Sequence, residues 1–288
     1  MSQPQRTLVV DGLALAQEIR KELAEAVGRH AAAGRRPPCL AVVLVGDDPA
    51  SVSYIRGKRR ACQRVGMDSR EDRLPAAVRE ADVLDRVQAL NADPGVDGIL
   101  VQLPLPGGIR AYEVASAIDP GKDIDGLHPL NAGRLLLGQP CLVPCTPLGI
   151  LEILRRHEVP LEGSRAVVIG RSAIVGKPVA LLLQQANATV TMCHSKSRDL
   201  PALCREAQVL VAAVGVPRLV RGDWIQPGAA VIDVGATSKD GEPVGDVDTE
   251  SVMGIARLVT PHRRGVGPMT ITMLLSNTLK AYEARLPA

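Results

Sequence analysis

Residues 40–66 read LAVVLVGDDPASVSYIRGKRRACQRVG and predict a buried strand followed by a helix. The run at 40–45 is short, rich in β-branched residues and closed by Gly46, which is typical of a strand covered on both faces. Residues 47–49 predict a turn, and a helix is expected to begin at residue 50 or 51 with a hydroxyl as its N-cap.

The predicted helix directs three polar side chains toward the carboxyl end of a sheet. Tyr54 and Lys58 are four residues apart and share a helix face, and Ser51 leans the same way. Open α/β folds bind ligands at this end of their strands, which makes Lys58 a candidate for chemistry. A single lysine on a helix is more often solvated, so this assignment depends on the segments that follow.

The composition predicts one large or two smaller domains with no nucleic-acid or membrane partner. The 288 residues are 46% hydrophobic and 23% charged, with a net charge of +3 and no phenylalanine. So small a charge and so few aromatic rings argue against binding to nucleic acid or to a membrane surface. Because no apolar stretch reaches the length of a membrane span or a signal region, we expect a cytoplasmic protein.

The six cysteines are scattered along the chain, as in reduced cytosolic proteins rather than in disulfide frameworks. Cys141 and Cys145 are four residues apart, but no pair of His or Cys residues stands beside them at the spacing of a zinc site. We therefore predict no metal site.

Two segments before residue 130 carry polar groups that are candidates for a site. Residues 99–101 predict a buried strand, which Gln102 interrupts and two prolines end. Gln102 is either an internally satisfied polar group or one that faces a ligand. Residues 119–129 read DPGKDIDGLHP and are too irregular for a helix or strand. Loops with such specific chemistry are more often sites than linkers.

The second half of the chain predicts a parallel, doubly wound sheet, because strands alternate with helices there. Thr146 is expected to cap a helix that runs to about His157. The predicted strands are 166–169, 189–193, 209–214 and 229–234, with helices at 179–187 and about 269–285. The first half predicts a strand at 7–10, a helix from about residue 13, a strand from residue 67 and a helix at 76–91.

The loop that follows the strand at 166–169 predicts a nucleotide site. It reads GRSAIVGKP and differs from G-x-G-x-x-G, but a small-residue loop before a helix still presents backbone N–H groups to a phosphate. The next strand ends in CHSKS (193–197), without the acidic residue that an NAD site places there. Arg171, with Ser195 and Lys196, suits a 2′-phosphate, which predicts NADP.

These segments together resemble the bifunctional methylenetetrahydrofolate dehydrogenase/cyclohydrolase family (FolD type) over nearly the whole chain. The matching motifs are VGDDPASVSYIRGK (45–58), DGILVQLPLP (97–106), KDIDGLHPLNAGRL (122–135), PCTPLGIL (144–151), GRSAIVGKP (170–178) and GVGPMT (265–270). The resemblance implies oxidation of 5,10-methylenetetrahydrofolate with NADP, followed by hydrolysis of the methenyl product to 10-formyltetrahydrofolate. It also implies a homodimer.

The resemblance further implies two α/β domains, of which the C-terminal one contains a Rossmann-like parallel sheet, with the active site in the interdomain cleft. The folate-binding catalytic domain is expected to span 1–146 and the NADP-binding domain 147–267. A C-terminal helix at about 268–288 is expected to pack back on the first domain.

Matching positions imply roles for individual residues. Lys58 is the implied catalytic lysine, Gln102 its partner and Tyr54 the residue that packs on the folate ring system. Asp125 is implied to grip the pterin, and a carboxylate suits this role because it accepts two N–H hydrogen bonds. The full sets are Ser51, Tyr54, Val101, Gln102, Leu103, Asp125, Pro268 and Thr270 for substrate, and Gly170, Arg171, Ser172, Ile174, Val175, Ser195, Gly215 and Ala236 for the dinucleotide. Two neighbours of Asp125, Asp123 and His128, are expected to be structural or supporting.

One loop departs from the family pattern. Before GVGPMT the family has Thr-Pro-Val-Pro-Gly-Gly, whereas residues 260–265 here read TPHRRG. If the family's first glycine has a positive φ, Arg264 in its place is strained by about 1 kcal/mol or more. A smaller departure is Ala236-Thr237, where the family has a larger aliphatic residue and then Asn.

These departures keep two other hypotheses open. The first is a folate- or nucleotide-binding paralogue with reduced or altered catalysis because of the His262-Arg263-Arg264 loop. The two arginines would either occupy substrate space or reach the folate glutamate tail or a differently shaped substrate. The second is a dehydrogenase of similar two-domain plan, such as a shikimate-type enzyme, against which the loop at 119–129 argues.

Overall fold

A computed structural model of the chain describes residues 6–239 and 242–286. The chain divides into two compact units, each built around a parallel β-sheet. The three-stranded unit contains Gln17–Cys145 and the chain from Ile271 onward. The six-stranded unit contains Thr146–Thr270 and the chain up to Ala16.

The helices and strands follow each other along the chain in largely alternating order. The helices are α1 (Gly12–Ala32), α2 (Pro49–Arg64), α3 (Glu80–Ala92), α4 (Ala111–Ala117), α5 (Pro129–Leu136), α6 (Cys145–Arg156), α7 (Gly176–Gln185), α8 (Leu200–Arg205), α9 (Thr249–Val252) and α10 (Val266–Glu283), with a 3-10 turn at Gly222–Trp224. The strands are β1 (Leu8–Val9), β2 (Cys39–Val45), β3 (Asp68–Leu74), β4 (Gly98–Val101), β5 (Arg165–Ile169), β6 (Thr189–Cys193), β7 (Val209–Ala212), β8 (Ala230–Asp233), β9 (Thr237–Lys239), β10 (Glu242–Val244) and β11 (Leu258–Val259). Among the described helices, none is both long and apolar enough to cross a membrane.

The three-stranded unit has β2 at the centre of the order β3-β2-β4. Every residue of β2 is buried, as expected of a central parallel strand that is covered on both faces. On one face, Val43 and Ile99 pack with Val83 and Val87 of α3. The register pairs Val43 with Val101, so β2 and β4 run side by side toward the edge at which Gln102 follows β4.

The six-stranded sheet has the order β1-β11-β8-β7-β5-β6, and all of its neighbouring strands are parallel. The register pairs Ile169 with both Cys193 and Ala212, and Ala212 with Asp233. The loops that follow β5, β6, β7 and β8 therefore leave the sheet side by side, at what we call the carboxyl edge. Beneath it, Val167, Leu210 and Val231 share an apolar core.

The predicted α/β class with a Rossmann-like parallel sheet is confirmed, and the predicted strands and long helices are present within a few residues of their expected bounds. The irregular segment at 119–128 is also confirmed; it is interrupted by one isolated bridge between Ile99 and Asp123. The resemblance implied a domain that spans residues 1–146; in the structure β1, near the start of that range, pairs with β11, Leu8 opposite Leu258. A two-residue strand carries no local signal for its partner, and that partner lies 250 residues along the chain.

Candidate functional site

The turn between β2 and α2 is built on an acidic N-cap. Helix α2 begins at Pro49, and Asp48 Oδ2 accepts a hydrogen bond of 2.8 Å from the backbone N–H of Ser51. The predicted hydroxyl N-cap was wrong, because proline favours the first helical position and so sets the cap at the preceding residue. Ser51 is instead 4% exposed and lies inside the first turn.

Lys58 and Gln102 are brought together from α2 and from the end of β4. Lys58 Nζ donates a hydrogen bond of 2.9 Å to Gln102 Oε1, while Gln102 Nε2 donates to the Leu103 carbonyl at 2.6 Å. The amide is therefore both internally satisfied and turned so that its oxygen faces the lysine. Burial lowers the pKa of Lys58, and the opposing effect of the nearby Asp125 charge is smaller.

Asp125 lies in a loop that its neighbours hold rigid. Asp123 is 1% exposed and accepts hydrogen bonds from Leu127 N at 3.1 Å, His128 N at 2.8 Å and Asn131 Nδ2 at 2.9 Å. These contacts agree with the supporting role expected of Asp123. Burial raises the pKa of Asp125, against a smaller lowering by Lys58. Asp125 and Lys58 are thus close enough for each charge to act on the other.

Two further residues of this region were missed by the sequence interpretation. Lys122 is 1% exposed, and its Nζ donates to three carbonyls at the end of α3, those of Leu90, Asn91 and Asp93, at 3.0, 2.7 and 2.8 Å. Cys145 Sγ donates to the Ile124 carbonyl at 3.3 Å. A lysine that caps a helix about 30 residues away has no local sequence pattern that would identify it.

The other predicted substrate residues are distributed over both units. In the three-stranded unit, Tyr54 is 62% and Leu103 40% exposed, and Val101 is half-buried. Pro268 and Thr270 lie in the first two turns of α10 and belong to the six-stranded unit. There Thr270 Oγ1 lies 3.0 Å from Thr146 Oγ1. Helix α6 starts at Cys145, so the prediction of Thr146 as its N-cap was wrong. The Thr146 hydroxyl forms its hydrogen bond with Thr270, which is distant in the sequence.

The loop between β5 and α7 offers a row of backbone donors. Within the described residues, the N–H groups of 171–174 donate to no acceptor, whereas those of Val175 and Gly176 both reach Ser172 Oγ at 3.2 Å. Gly170 has φ +124°, and a Cβ there would overlap the Ala213 carbonyl, so only glycine fits. Free amides before the N-terminus of a ten-residue helix suit an anionic phosphate.

The remaining predicted dinucleotide residues follow neighbouring strands at the carboxyl edge. Gly170 N donates to the Cys193 carbonyl at 2.9 Å, so Arg171 and Ser195 leave adjacent strands. Both of these side chains are exposed. Gly215, at φ +68°, follows β7, and the exposed Ala236 follows β8. Taken with the free amides, this donor set fits a phosphorylated dinucleotide.

The divergent loop at 260–265 follows β11 at the same edge. Arg264 has φ +62°, so the position predicted to need glycine does lie in the left-handed region. The two arginines pair with carboxylates of the six-stranded unit, Arg264 with Asp11 at 2.7 Å and Arg263 with Glu242 at 3.2 Å.

Known proteins match this chain over nearly its whole length. Residues 10–125 match the model of the tetrahydrofolate dehydrogenase/cyclohydrolase catalytic domain, and residues 144–286 that of the corresponding NAD(P)-binding domain. The bifunctional protein FolD of Sorangium cellulosum is 55% identical over 279 residues, which cover 96% of this chain and 97% of that protein.

Solved structures agree with these matches. The bifunctional enzyme FolD, methylenetetrahydrofolate dehydrogenase/cyclohydrolase, from Campylobacter jejuni superposes with a TM-score of 0.94 at 43% identity, over 97% of this chain and 100% of that one. The methylenetetrahydrofolate dehydrogenase-cyclohydrolase of Trypanosoma brucei, solved with NADP cofactor and an inhibitor, gives 0.92 at 39% identity, over 98% and 99% of the two chains.

Proposed function

Because this chain belongs to the tetrahydrofolate dehydrogenase/cyclohydrolase family, we propose that it oxidises 5,10-methylenetetrahydrofolate to 5,10-methenyltetrahydrofolate with NADP and hydrolyses the product to 10-formyltetrahydrofolate. The resemblance seen in the sequence is thereby confirmed. The structural observation that carries the proposal is the hydrogen bond of 2.9 Å between Lys58 and Gln102, near Asp125, whose pKa is raised by burial.

Hydrolysis requires a group that takes a proton from water. The water oxygen bonds to the methenyl carbon, the bond from that carbon to one folate nitrogen breaks, and one proton is released. A lysine whose pKa is lowered by burial is neutral for part of the time and can accept that proton. Gln102 Oε1 orients the amine, because its own amide is fixed by the Leu103 carbonyl. A neutral Lys58 also avoids repelling the cationic methenyl substrate.

Substrate binding is assigned to Asp125 and Tyr54. The carboxylate of Asp125 accepts hydrogen bonds from the pterin amino and ring N–H groups. Its loop is anchored through Asp123 and Lys122, so the carboxylate is positioned before substrate arrives. Tyr54, on the same helix as Lys58, exposes 62% of its surface and offers a ring for stacking.

The dinucleotide supplies the hydride acceptor for the oxidation. We propose that the free amides at 171–174 bind its phosphates and that Arg171 and Ser195 contact a 2′-phosphate, which favours NADP over NAD. The support is the parallel register of β5 and β6, which places both side chains at one edge, together with the lack of an acidic residue in CHSKS. We further propose that the three-stranded unit is the folate-binding domain and the six-stranded unit the NADP-binding domain.

The divergent loop gives the paralogue hypothesis no specific support. Both arginines already have carboxylate partners in their own unit, so their charge is directed at Asp11 and Glu242. We therefore propose that the protein is catalytically active with this loop sequence.

The test is turnover by the purified full chain. With 5,10-methylenetetrahydrofolate we expect methenyl and NADPH absorbance to rise with NADP, and kcat/KM with NAD to be at least about tenfold lower. With methenyltetrahydrofolate alone we expect loss of methenyl absorbance without any dinucleotide. A double variant, R263P/R264G, is the control for the loop. If it alone turned over, the paralogue hypothesis would replace the proposal; if neither protein did, the role of Lys58 would fall as well.

Three expectations from the sequence remain proposals. We propose a homodimer, which sedimentation of the purified chain at assay concentration would test. We propose a cytoplasmic location, supported by six unpaired cysteine thiols, which cell fractionation would test. We also propose that the protein does not bind nucleic acid, given its net charge of +3, which a filter-binding assay would test.

A further inference from the structure

Two buried carboxylates lie behind the carboxyl edge of the six-stranded sheet. Asp233 ends β8 and is 2% exposed, and Asp246, two residues after β10, is 0% exposed. The hydrogen-bond donors to both carboxylates among the described residues are backbone N–H groups. Neither carboxylate was singled out from the sequence, where they stand in the related segments DVG (233–235) and GDVD (245–248).

Asp246 holds the turn that follows β7. Its Oδ2 accepts hydrogen bonds from Val214 N at 2.6 Å and from Gly215 N at 3.1 Å. Neither amide has a backbone acceptor in the described part of the chain. The conformation of this turn therefore depends on one side chain that is 31 residues away from Gly215.

Asp233 in turn holds Asp246. Its Oδ1 accepts from Gly235 N and from Asp246 N, both at 2.9 Å, and its Oδ2 accepts from Val247 N at 3.1 Å. Gly245 leaves space for this contact, because a Cβ there would overlap Asp233 Oδ2. The two carboxylates form a continuous chain of hydrogen bonds from the loop after β8 to the loop after β7.

Burying the Asp246 carboxylate costs more free energy than anchoring this segment would require. Oδ1 of Asp246 is buried and has no hydrogen-bond partner within the described residues, and burial of a polar atom without a partner is unfavourable. The backbone already anchors the segment, because Val220 N donates to the Asp246 carbonyl at 3.0 Å and Asp248 N donates to the Val220 carbonyl at 2.8 Å. The Asp246 carboxylate adds only the contacts to the turn at 214–215.

We propose that Asp246, held by Asp233, is a positioning residue that keeps the Val214–Gly215 turn in the form that receives the dinucleotide. The inference rests on the proposed function, because it takes the carboxyl edge as the dinucleotide site. Asp246 acts through the turn and need not touch the ligand. Lys58, Gln102 and Asp125 belong to the other unit. We therefore expect hydrolysis of methenyltetrahydrofolate without dinucleotide to be independent of this turn.

The test compares Asp246→Ala with Asp248→Ala in the full chain. Asp248 lies two residues away in the same segment, and its carboxylate makes no hydrogen bond among the described residues. Calorimetric titration with NADP should give a Kd raised at least about tenfold in D246A and changed less than about threefold in D248A. Both variants should hydrolyse methenyltetrahydrofolate, without dinucleotide, within about twofold of the unaltered protein.

Three results would overturn the inference: an unchanged Kd in D246A, an equal rise in D248A, or parallel loss of NADP affinity and hydrolysis in D246A. If D246A does not fold, Asp246→Asn decides, since the amide oxygen keeps one neutral acceptor. The Kd of D246N for NADP is expected to rise above that of the unaltered protein and of D248A, but by less than about tenfold. An unchanged Kd would again refute the role of Asp246. Failure of the unaltered protein to bind NADP would refute the proposed function itself, and this inference with it.

Discussion

The group formed by Lys58, Gln102 and Asp125 and the carboxyl edge of the six-stranded sheet present different chemistry to a ligand. Around Lys58 the working groups are side chains, and burial shifts the pKa of Lys58 down and that of Asp125 up. At the carboxyl edge they are mostly backbone N–H groups, whose positions depend on the register of the strands and on Asp246. A site built from side chains loses its activity when one functional group is removed. A site built from backbone N–H groups loses its affinity only when the backbone conformation changes.

The sharpest test of this difference is Lys58→Met. Removing the amine eliminates the proton acceptor, so hydrolysis of methenyltetrahydrofolate should fall by about 10²- to 10⁴-fold. The Kd for NADP should not change, because the free amides at 171–174 are untouched. Stopped-flow loss of methenyl absorbance and calorimetric titration measure the two quantities. Arg59→Met, at the exposed neighbouring position, is the control and should retain activity.

Asp125→Asn should weaken substrate binding by a smaller factor. Asn keeps the shape of the side chain but replaces one acceptor oxygen with a donor that opposes the pterin N–H groups. We expect KM for 5,10-methylenetetrahydrofolate to rise by about 10- to 100-fold, the range for loss of a hydrogen bond to a charged group. Steady-state kinetics at saturating NADP would show it. An unchanged KM, or an equal change in the exposed loop variant Asp119→Asn, would remove Asp125 from the pterin site.

The buried carboxylates of the six-stranded unit predict an effect of pH on stability. Burial raises the pKa of Asp233 from 3.8 to about 6, against lowering by its hydrogen bonds from Asp246, Val247 and Gly235. The folded state therefore binds this proton more tightly than the unfolded chain. The resulting stabilisation is complete below the unfolded pKa and is lost as pH rises through about 6.

Between pH 5 and pH 7.5 the titration of Asp233 should lower the free energy of unfolding by about 1 kcal/mol. Asp233→Asn is expected to lower the free energy of unfolding at every pH. It should also remove the part of the pH dependence that comes from titration of Asp233. Urea unfolding, followed across the pH range with Asp248→Asn as control, measures it. Identical slopes in all three proteins would show that Asp233 is ionised equally in the folded and unfolded states.

The smallest effect is expected from Arg264→Gly. Glycine adopts the φ of +62° without strain, which should stabilise the fold by about 1 kcal/mol, less the small contribution of the exposed Asp11 pair. The net result is a rise in Tm of about 1–3 °C. Arg263→Gly, at a position without positive φ, should give no rise. A lower Tm for R264G than for R263G would mean that the Asp11 pair outweighs the strain.

The sequence determined the strands, the long helices, the family motifs and the residues that the structure brings together at Lys58. These followed from local patterns: the buried run at 40–45 predicts a strand whatever its partners, and the spacing of Tyr54 and Lys58 fixes a shared helix face. The two N-cap errors were also local. They arose where the signals around Pro49 and Thr146 allow a helix to start one or two residues earlier.

Only the tertiary structure decided which distant groups meet. It paired β1 with β11, buried Lys122 against the end of α3 and set Asp246 under the turn at Gly215. None of these contacts has a sequence pattern, because a buried ion or a short edge strand is stabilised by whatever acceptors and donors the folded chain brings to it. Periodicity and turn chemistry act over a few residues, whereas the partners of a buried polar group are chosen by the packing of the whole unit.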